Sequence, residues 1–188
     1  MKAILSPFKL MALFFLLCSY TNSYPEPLSI KNSPIAEVAH LVEKLVMADS
    51  RQSTEILLKI NSIRKKHPEN TDILLMYINS LIGEKHYKEG INFLKILYEK
   101  KPIRTYLLTQ CMLTQRLGGK ERGCYEDVVH LSEKQNLIDS DYVTALFFTD
   151  TKKFNTVKHQ LIKENKFKES DFLIFTLGKE KMLHEFFP

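Results

Sequence analysis

Apolar residues recur every three or four positions along most of the chain, in segments separated by short polar stretches. This spacing places them on one face of an α-helix, so it predicts a series of amphipathic helices. The predicted helices lie at about 35–48, 52–66, 71–83, 87–100, 103–117 and 121–135, followed by shorter ones at about 142–148, 152–164, 172–177 and 182–187. No alternating strand pattern and no Asn-Gly or Asp-Gly hairpin signal competes with them. The pattern predicts an all-α fold.

Helix-boundary residues fall between these segments. Asp139–Ser140–Asp141 is typical of an N-cap, so a capping role is expected for Asp139. Gly178 is expected to end or bend a helix near the C-terminus. Only six glycines and seven prolines occur in 188 residues, which also argues against a turn-rich β fold.

The two prolines between Pro34 and Pro188 indicate a repeat. Pro68 and Pro102 are 34 residues apart, and each follows a basic helix end. Thirty-four residues is the period of the tetratricopeptide repeat, a pair of antiparallel helices.

The segment from Thr71 resembles that repeat. Large apolar positions and the closing proline are matched by Leu74, Tyr77, Leu81, Leu94, Leu97 and Pro102, and Tyr87 supplies the aromatic residue at the start of the second helix. The positions of closest helix contact hold Ile78 and Gly90, read as a large residue opposite a small one. The resemblance covers about 35–137, with one clear repeat and two degenerate neighbours, and implies a right-handed stack of antiparallel helix hairpins (a TPR-like α-solenoid) with divergent C-terminal helices.

In that family the first helices of the pairs line a groove that binds protein or peptide partners. The resemblance therefore implies partner-binding residues on the first helices of the clear repeat and of the unit after it. They are Leu75, Asn79 and Ile82, and then Tyr106, Thr109 and Arg116. Asn79 is the most specific of these, because an amide can fix a peptide backbone.

The N-terminal residues have the order of an export signal. Lys2 and Lys9 supply positive charge, Leu10–Cys18 is an apolar run of nine residues, and Thr21–Asn22–Ser23 ends in small residues. The run is shorter than the roughly 20 residues that span a bilayer. We expect a signal peptide over 1–23, an extended leader over 24–34 and one helical domain over 35–188, with export to the periplasm; secretion, or lipid attachment at Cys18, is the alternative.

Export changes how the charge and the cysteines are interpreted. Removal of 1–23 takes away two lysines and lowers the net charge from +5 to +3, which weakens the case for a nucleic-acid partner. Membrane association is expected only if Cys18 is lipidated.

Cys111 and Cys124 flank the turn at Gly118–Gly119. An αα-hairpin at this turn would bring them together, so the sequence predicts a disulfide between them; two buried free thiols are the alternative.

Motifs for catalysis or metal binding are lacking in the sequence. The six histidines form no His-x3-His or His-Glu-x-x-His pair, and no Gly-x-Ser-x-Gly occurs. We expect no metal, no cofactor and no enzyme activity.

Phenylalanines are concentrated in the last quarter of the chain and are expected to lie mostly in the core. The terminal Phe186–Phe187–Pro188 differs from these, as either a small docking tail or a fold back onto the last helix.

The sequence thus predicts an exported adaptor that helps assemble or stabilise a secretion, pilus or envelope complex. An envelope enzyme or a carbohydrate- or peptidoglycan-binding factor is the alternative.

Overall fold

The computed structural model describes residues 33–120 and 122–188, and over these ranges the chain is helical, without strands. The predicted signal peptide, Cys18 and most of the predicted leader lie outside the described residues. The helices are α1 (Pro34–Leu45), α2 (Ser50–Lys66), α3 (Thr71–Gly83), α4 (Tyr87–Lys100), α5 (Arg104–Arg116), α6 (Arg122–Lys134), α7 (Ser140–Thr149), α8 (Thr151–Lys163), the 3₁₀ helix Glu169–Leu177 and α9 (Lys179–Phe186). No helix among the described residues is long and apolar enough to cross a membrane.

Several helices begin at a side chain that accepts backbone hydrogen bonds. Asn70 Oδ1 accepts from the amides of Asp72 and Ile73 at the start of α3. Asp139 Oδ1 accepts from the amides of Asp141 and Tyr142 at the start of α7. These bonds satisfy amides that have no partner within the helix, and they confirm the capping role predicted for Asp139.

Helices that are neighbours in sequence pack against each other from α1 through α8. In addition, α1 contacts α3 and α5 contacts α7, so alternate helices also meet. The final helix, α9, packs against the 3₁₀ helix and returns to α5. The all-α prediction is confirmed, with neighbouring helices packed together.

Three apolar clusters form the core, and α3 and α5 each contribute to two of them. On α3, Ile73 belongs to the cluster shared with α1 and α2, whereas Ile78 belongs to the cluster shared with α4 and α5. On α5, Leu113 belongs to that second cluster, and Met112 belongs to a third one that extends to α9. We call the second cluster the middle cluster; its buried residues are Leu74, Ile78, Tyr87, Ile91, Leu94, Leu97 and Leu113.

The close contact between α3 and α4 differs from the predicted one. A Cβ atom added at Gly90 would lie 3.1 Å from Cγ1 of Ile82, and no atom of Ile78 is within 4 Å of it. The residue opposite Gly90 is therefore Ile82. Ile78 is instead fully buried in the middle cluster, because the side of α3 that carries it faces that cluster.

The predicted bridge between Cys111 and Cys124 is formed. Their Cα atoms are 5.7 Å apart, which lies in the range that a disulfide requires. The bond joins α5 to α6 across the turn that contains Gly118, whose φ of +89° is the left-handed conformation that glycine adopts most easily.

Gly178 joins the 3₁₀ helix to α9 with φ +81° and ψ 163°, a conformation essentially restricted to glycine. We expect Gly178→Ala to destabilise the attachment of α9 by about 1–3 kcal/mol, seen as faster hydrogen exchange in residues 179–188. Gly123→Ala is the control, because Gly123 lies in α6 with nothing within 4 Å of an added Cβ. Equal exchange in the two variants would contradict the expectation.

Candidate partner-binding site

The three partner-binding residues predicted on α3 share one side of that helix. Leu75, Asn79 and Ile82 follow the i, i+4, i+7 spacing of a helical stripe. Leu75 and Ile82 are half-buried against the middle cluster, and Asn79 between them is exposed. Asn79 is therefore the residue of this stripe whose polar group is open to a partner.

The first two residues predicted on α5 are more buried than Asn79. Tyr106 is half-buried against the same middle cluster as Leu75 and Ile82, so that cluster brings these three residues to one region. Thr109 is half-buried, and its hydroxyl donates to the carbonyl oxygen of Thr105 at 2.9 Å. The proton of that hydroxyl is thus used within the helix.

Arg116, the last predicted residue, is bound to the C-terminus of the same chain. Its Nε donates to the carbonyl oxygen of Phe187 at 2.8 Å. The hydroxyl of Tyr87, at the start of α4, donates to the main-chain oxygen of Pro188 at 2.6 Å. We call Tyr87 and Arg116 the clamp, since together they hold two consecutive main-chain oxygens.

Aromatic contact accompanies these hydrogen bonds. The rings of Tyr87 and Phe187 meet edge to face, with centroids 6.1 Å apart and an interplanar angle of 73°. Such pairs contribute about 0.5–1.5 kcal/mol beyond their burial. Phe187 is half-buried and packs against the middle cluster, whereas the adjacent Phe186 is 50% exposed.

The segment that reaches the clamp, Lys179–Pro188, is anchored at its other end by two apolar side chains. Met182 and Leu183 of α9 are buried in the cluster that α5 shares with the C-terminal helices. We call Lys179–Pro188 the C-terminal segment. The structure has the terminal Phe-Phe-Pro packed on α4 and α5 of the same chain, in contact with a predicted partner-binding residue, rather than folded back onto the last helix. Its use as a docking tail for a partner stays a prediction.

A cavity of about 330 Å³ adjoins the clamp and shares Tyr87 with it. Lys85 and Lys88 supply positive charge to its lining, and exposed Leu117 supplies an apolar surface. Glu89, also in the lining, accepts a hydrogen bond from the hydroxyl of Tyr77 at 2.9 Å. Burial of Tyr77, together with this bond and the charge of Glu89, raises the pKa of the phenol above its ordinary value, so Tyr77 is a neutral donor at physiological pH.

A further open cleft lies among the described residues, and its lining does not favour a ligand of either charge. An open cleft of about 580 Å³ between α1 and α2 carries Glu43 and Glu55 beside Lys44 and Lys59, so its charges are balanced. No group of three or more His, Cys, Asp or Glu among the described residues is arranged to hold a metal ion.

The clamp as a unit was not predicted from the sequence. Arg116 was expected at a partner-binding position and Tyr87 as the aromatic residue at a helix start, without a connection between the two. The signal available was the terminal Phe186–Phe187 pair after a short amphipathic segment, which is more apolar than a solvated chain end requires.

Comparisons with known proteins give no relative from which a role could be transferred. No family model, no curated protein and no solved structure matches the chain. The candidate site is accordingly defined by its own geometry: an exposed amide on α3, and a clamp for main-chain oxygens on α4 and α5.

Proposed function

We propose that the protein is an exported, periplasmic adaptor that binds a protein partner and assists the assembly or stability of a secretion, pilus or envelope complex. The observation that carries the proposal is the seating of the C-terminal segment. Arg116, at a position predicted to bind a partner, holds the peptide carbonyl of Phe187, and Tyr87 holds the main-chain oxygen of Pro188. A surface that binds main-chain oxygens and one aromatic ring has the chemistry of a peptide-binding site.

The adaptor proposal includes a finer proposal about the fold. Three helix pairs, α1–α2, α3–α4 and α5–α6, form a right-handed tetratricopeptide-like stack, and the later helices close its end. Contacts between α1 and α3, which are first helices of adjacent pairs, support this arrangement. Stacked pairs offer a preformed groove, which limits the conformational entropy lost on binding.

The periplasmic location is supported by the bridge between Cys111 and Cys124. Disulfides form and persist in oxidising compartments and are rare in the cytosol. The apolar run Leu10–Cys18, with the two lysines that precede it, supports export independently.

Site-specific crosslinking tests the adaptor function. A photo-reactive phenylalanine analogue at position 79 is expected to give a discrete crosslinked protein in the periplasmic fraction, because Asn79 is exposed between two residues of the proposed groove. The same analogue at Lys95, exposed on α4, is the control and is expected to give none. Mass spectrometry of the crosslinked product identifies the partner.

Two results would contradict the adaptor. One is the absence of any product specific to position 79 in cells that produce the folded protein. The other is sedimentation with, or cleavage of, purified peptidoglycan by the mature protein, which would favour the alternative envelope-binding or enzymatic function.

A further inference from the structure

Two apolar side chains project from the turn between α1 and α2. Val46 is 80% exposed and Met47 is 88% exposed, which makes them the most exposed large apolar side chains of the described residues. The turn that carries them is ordered. The amide of Met47 donates to the carbonyl oxygen of Lys44 at 3.3 Å, and the amide of Ala48 donates to that of Leu45 at 3.2 Å. Exposed apolar groups that lie together, unlike single ones, indicate an interaction surface.

The cleft beside this turn can receive such side chains. It has a volume of about 580 Å³, and its apolar lining consists of Met47, Ala48 and Ile56. A projection and a recess therefore adjoin each other. A two-fold axis would place the projection of each copy opposite the recess of the other, as a symmetric dimer requires. We call Val46, Met47 and this cleft the N-terminal surface.

The charges of the N-terminal surface are also self-complementary. Its lining carries two carboxylates and two ammonium groups, from Glu43, Glu55, Lys44 and Lys59. Each carboxylate has one exposed contact of 3.5 Å within its own helix, Glu43 with His40 and Glu55 with Arg51. A strongly acidic partner would meet these carboxylates, and a strongly basic one would meet the lysines. A second copy of the same surface can set each charge against the opposite one.

The position of the two helices in the fold also favours a second copy. They are the first helices of the described chain, and both pack against α3. A terminal pair in a stack of helices needs a polar outer side to remain soluble by itself. This pair and its turn instead leave four large apolar side chains exposed, at Ile35, Val46, Met47 and Leu58. Association through the N-terminal surface removes apolar surface of the pair from water.

From these observations we propose that the N-terminal surface is a two-fold interface between two copies of this chain, in which the turn of each copy enters the cleft of the other. Val46 and Met47 are covered there, and the lysines of one copy face the carboxylates of the other. The dimer does not depend on the adaptor function. Asn79 and the clamp lie on α3, α4 and α5, outside this surface, so each copy keeps its own candidate site.

Sedimentation velocity of the protein, purified as the cell produces it, measures the dimer. We expect the wild type to change from monomer to dimer as its concentration is raised. Met47→Asp is expected to weaken the dimer about tenfold or more, because each copy would place a charge in the apolar cleft of the other. Leu173→Asp is the matched control, since Leu173 is 62% exposed in the 3₁₀ helix, and it is expected to leave the dimer unchanged. Urea denaturation of both variants verifies that they are folded.

Charge reversal tests the two-fold arrangement. The acidic variant is Lys44→Glu/Lys59→Glu, and the basic variant is Glu43→Lys/Glu55→Lys. Each variant alone sets like charges against each other across the interface and is expected to dimerise about tenfold more weakly than the wild type. An equimolar mixture is expected to restore the dimer as acidic–basic pairs, which excludes loss of folding as the cause of the weak self-association. High salt should reduce both effects.

Crosslinking identifies what covers the turn. A photo-reactive phenylalanine analogue at position 47 is expected to join two copies of the chain, with crosslinks that map to residues 43–59 of the second copy. Chains of two isotopic compositions distinguish this product from crosslinks within one chain.

Four results would overturn the dimer. They are a wild type that is monomeric at every concentration, equal dimerisation of Met47→Asp and Leu173→Asp, a charge-reversed mixture that does not dimerise, and crosslinks from position 47 only to another protein or to its own chain. None of them bears on the crosslink expected from position 79, so the dimer and the adaptor function are tested separately.

Discussion

Replacement of Arg104 by methionine is expected to lower the free energy of unfolding by about 3 kcal/mol, measured by urea denaturation at pH 7. Arg104 opens α5, and its side chain is only 9% exposed. Methionine retains much of the apolar stem but removes the guanidinium. The loss is large because several polar partners depend on that one group.

The partners of Arg104 come from two later helices. Its Nη1 donates to the hydroxyl of Ser132 at 3.0 Å, and its Nη2 donates to the carboxylate of Asp139. Asp141 also lies 3.9 Å from Nη1 and accepts a hydrogen bond from Thr105. Ser132 is fully buried, so loss of its donor is not made up by water, whereas Asp139 keeps partial contact with solvent.

Two controls separate this network from charge alone. Arg104→Lys keeps the positive charge but has no planar fork for two partners. It is therefore expected to lower the free energy of unfolding by about half as much as Arg104→Met does. Arg122→Met removes an exposed ion pair with Glu126 one helical turn away, and is expected to change the free energy of unfolding by less than about 0.5 kcal/mol. A loss as small for Arg104→Met would contradict the importance of the network.

The pH dependence tests the ionic part of the same prediction. Burial raises the pKa of Asp139, but the hydrogen bond from Arg104 and those from the backbone more than offset it, so the pKa lies below its ordinary value. A carboxylate with a depressed folded-state pKa stabilises above its unfolded pKa, and this stabilisation is lost as pH falls through the folded-state pKa. The difference in free energy of unfolding between the wild type and Arg104→Met should therefore become smaller below about pH 4. A constant difference would assign the whole effect to packing.

Local signals in the sequence were sufficient for the helices. The bounds of α3 and α4 agree with the prediction because apolar periodicity and clear chain reversals coincide there: Asn70 caps α3, and Lys85 turns the chain with φ of +63°. The turn at Gly118 likewise placed Cys111 beside Cys124. Each of these features is decided within about fifteen residues.

Contacts between distant residues could not be derived in that way. Arg104 and Asp139 are 35 positions apart, and in the sequence Arg104 is one more cation after Lys100 and Lys101. Tyr87 and Pro188 are 101 positions apart. The repeat pattern could place Arg116 at a binding position, but no periodicity relates it to Phe187. The C-terminal segment lies at the clamp only because the last helix, α9, returns to α5.

Reduction of the bridge between Cys111 and Cys124 is expected to lower the free energy of unfolding by about 3 kcal/mol, according to the chain-entropy model for a loop of this length. The two cysteines are 13 positions apart and join α5 to α6. The bond restricts the unfolded chain, so its removal acts mainly on that state. We expect the reduced protein to stay folded in the absence of denaturant, since Leu108 and Val128 remain packed in the cluster that both helices share.

Urea titrations of the wild type with and without reductant measure this loss, and Cys111→Ala/Cys124→Ala is the control. The double variant has no bridge, so reductant should leave its transition unchanged. It should also be less stable than the reduced wild type by about 1 kcal/mol or more, because Cys111 is completely buried and its sulfur fills core volume that alanine leaves empty. The difference between oxidised and reduced wild type gives the contribution of the covalent loop. The difference between reduced wild type and the double variant gives the contribution of packing. If reductant shifted both proteins equally, or neither, the bridge would contribute nothing to the stability of the α5–α6 pair that carries Arg116.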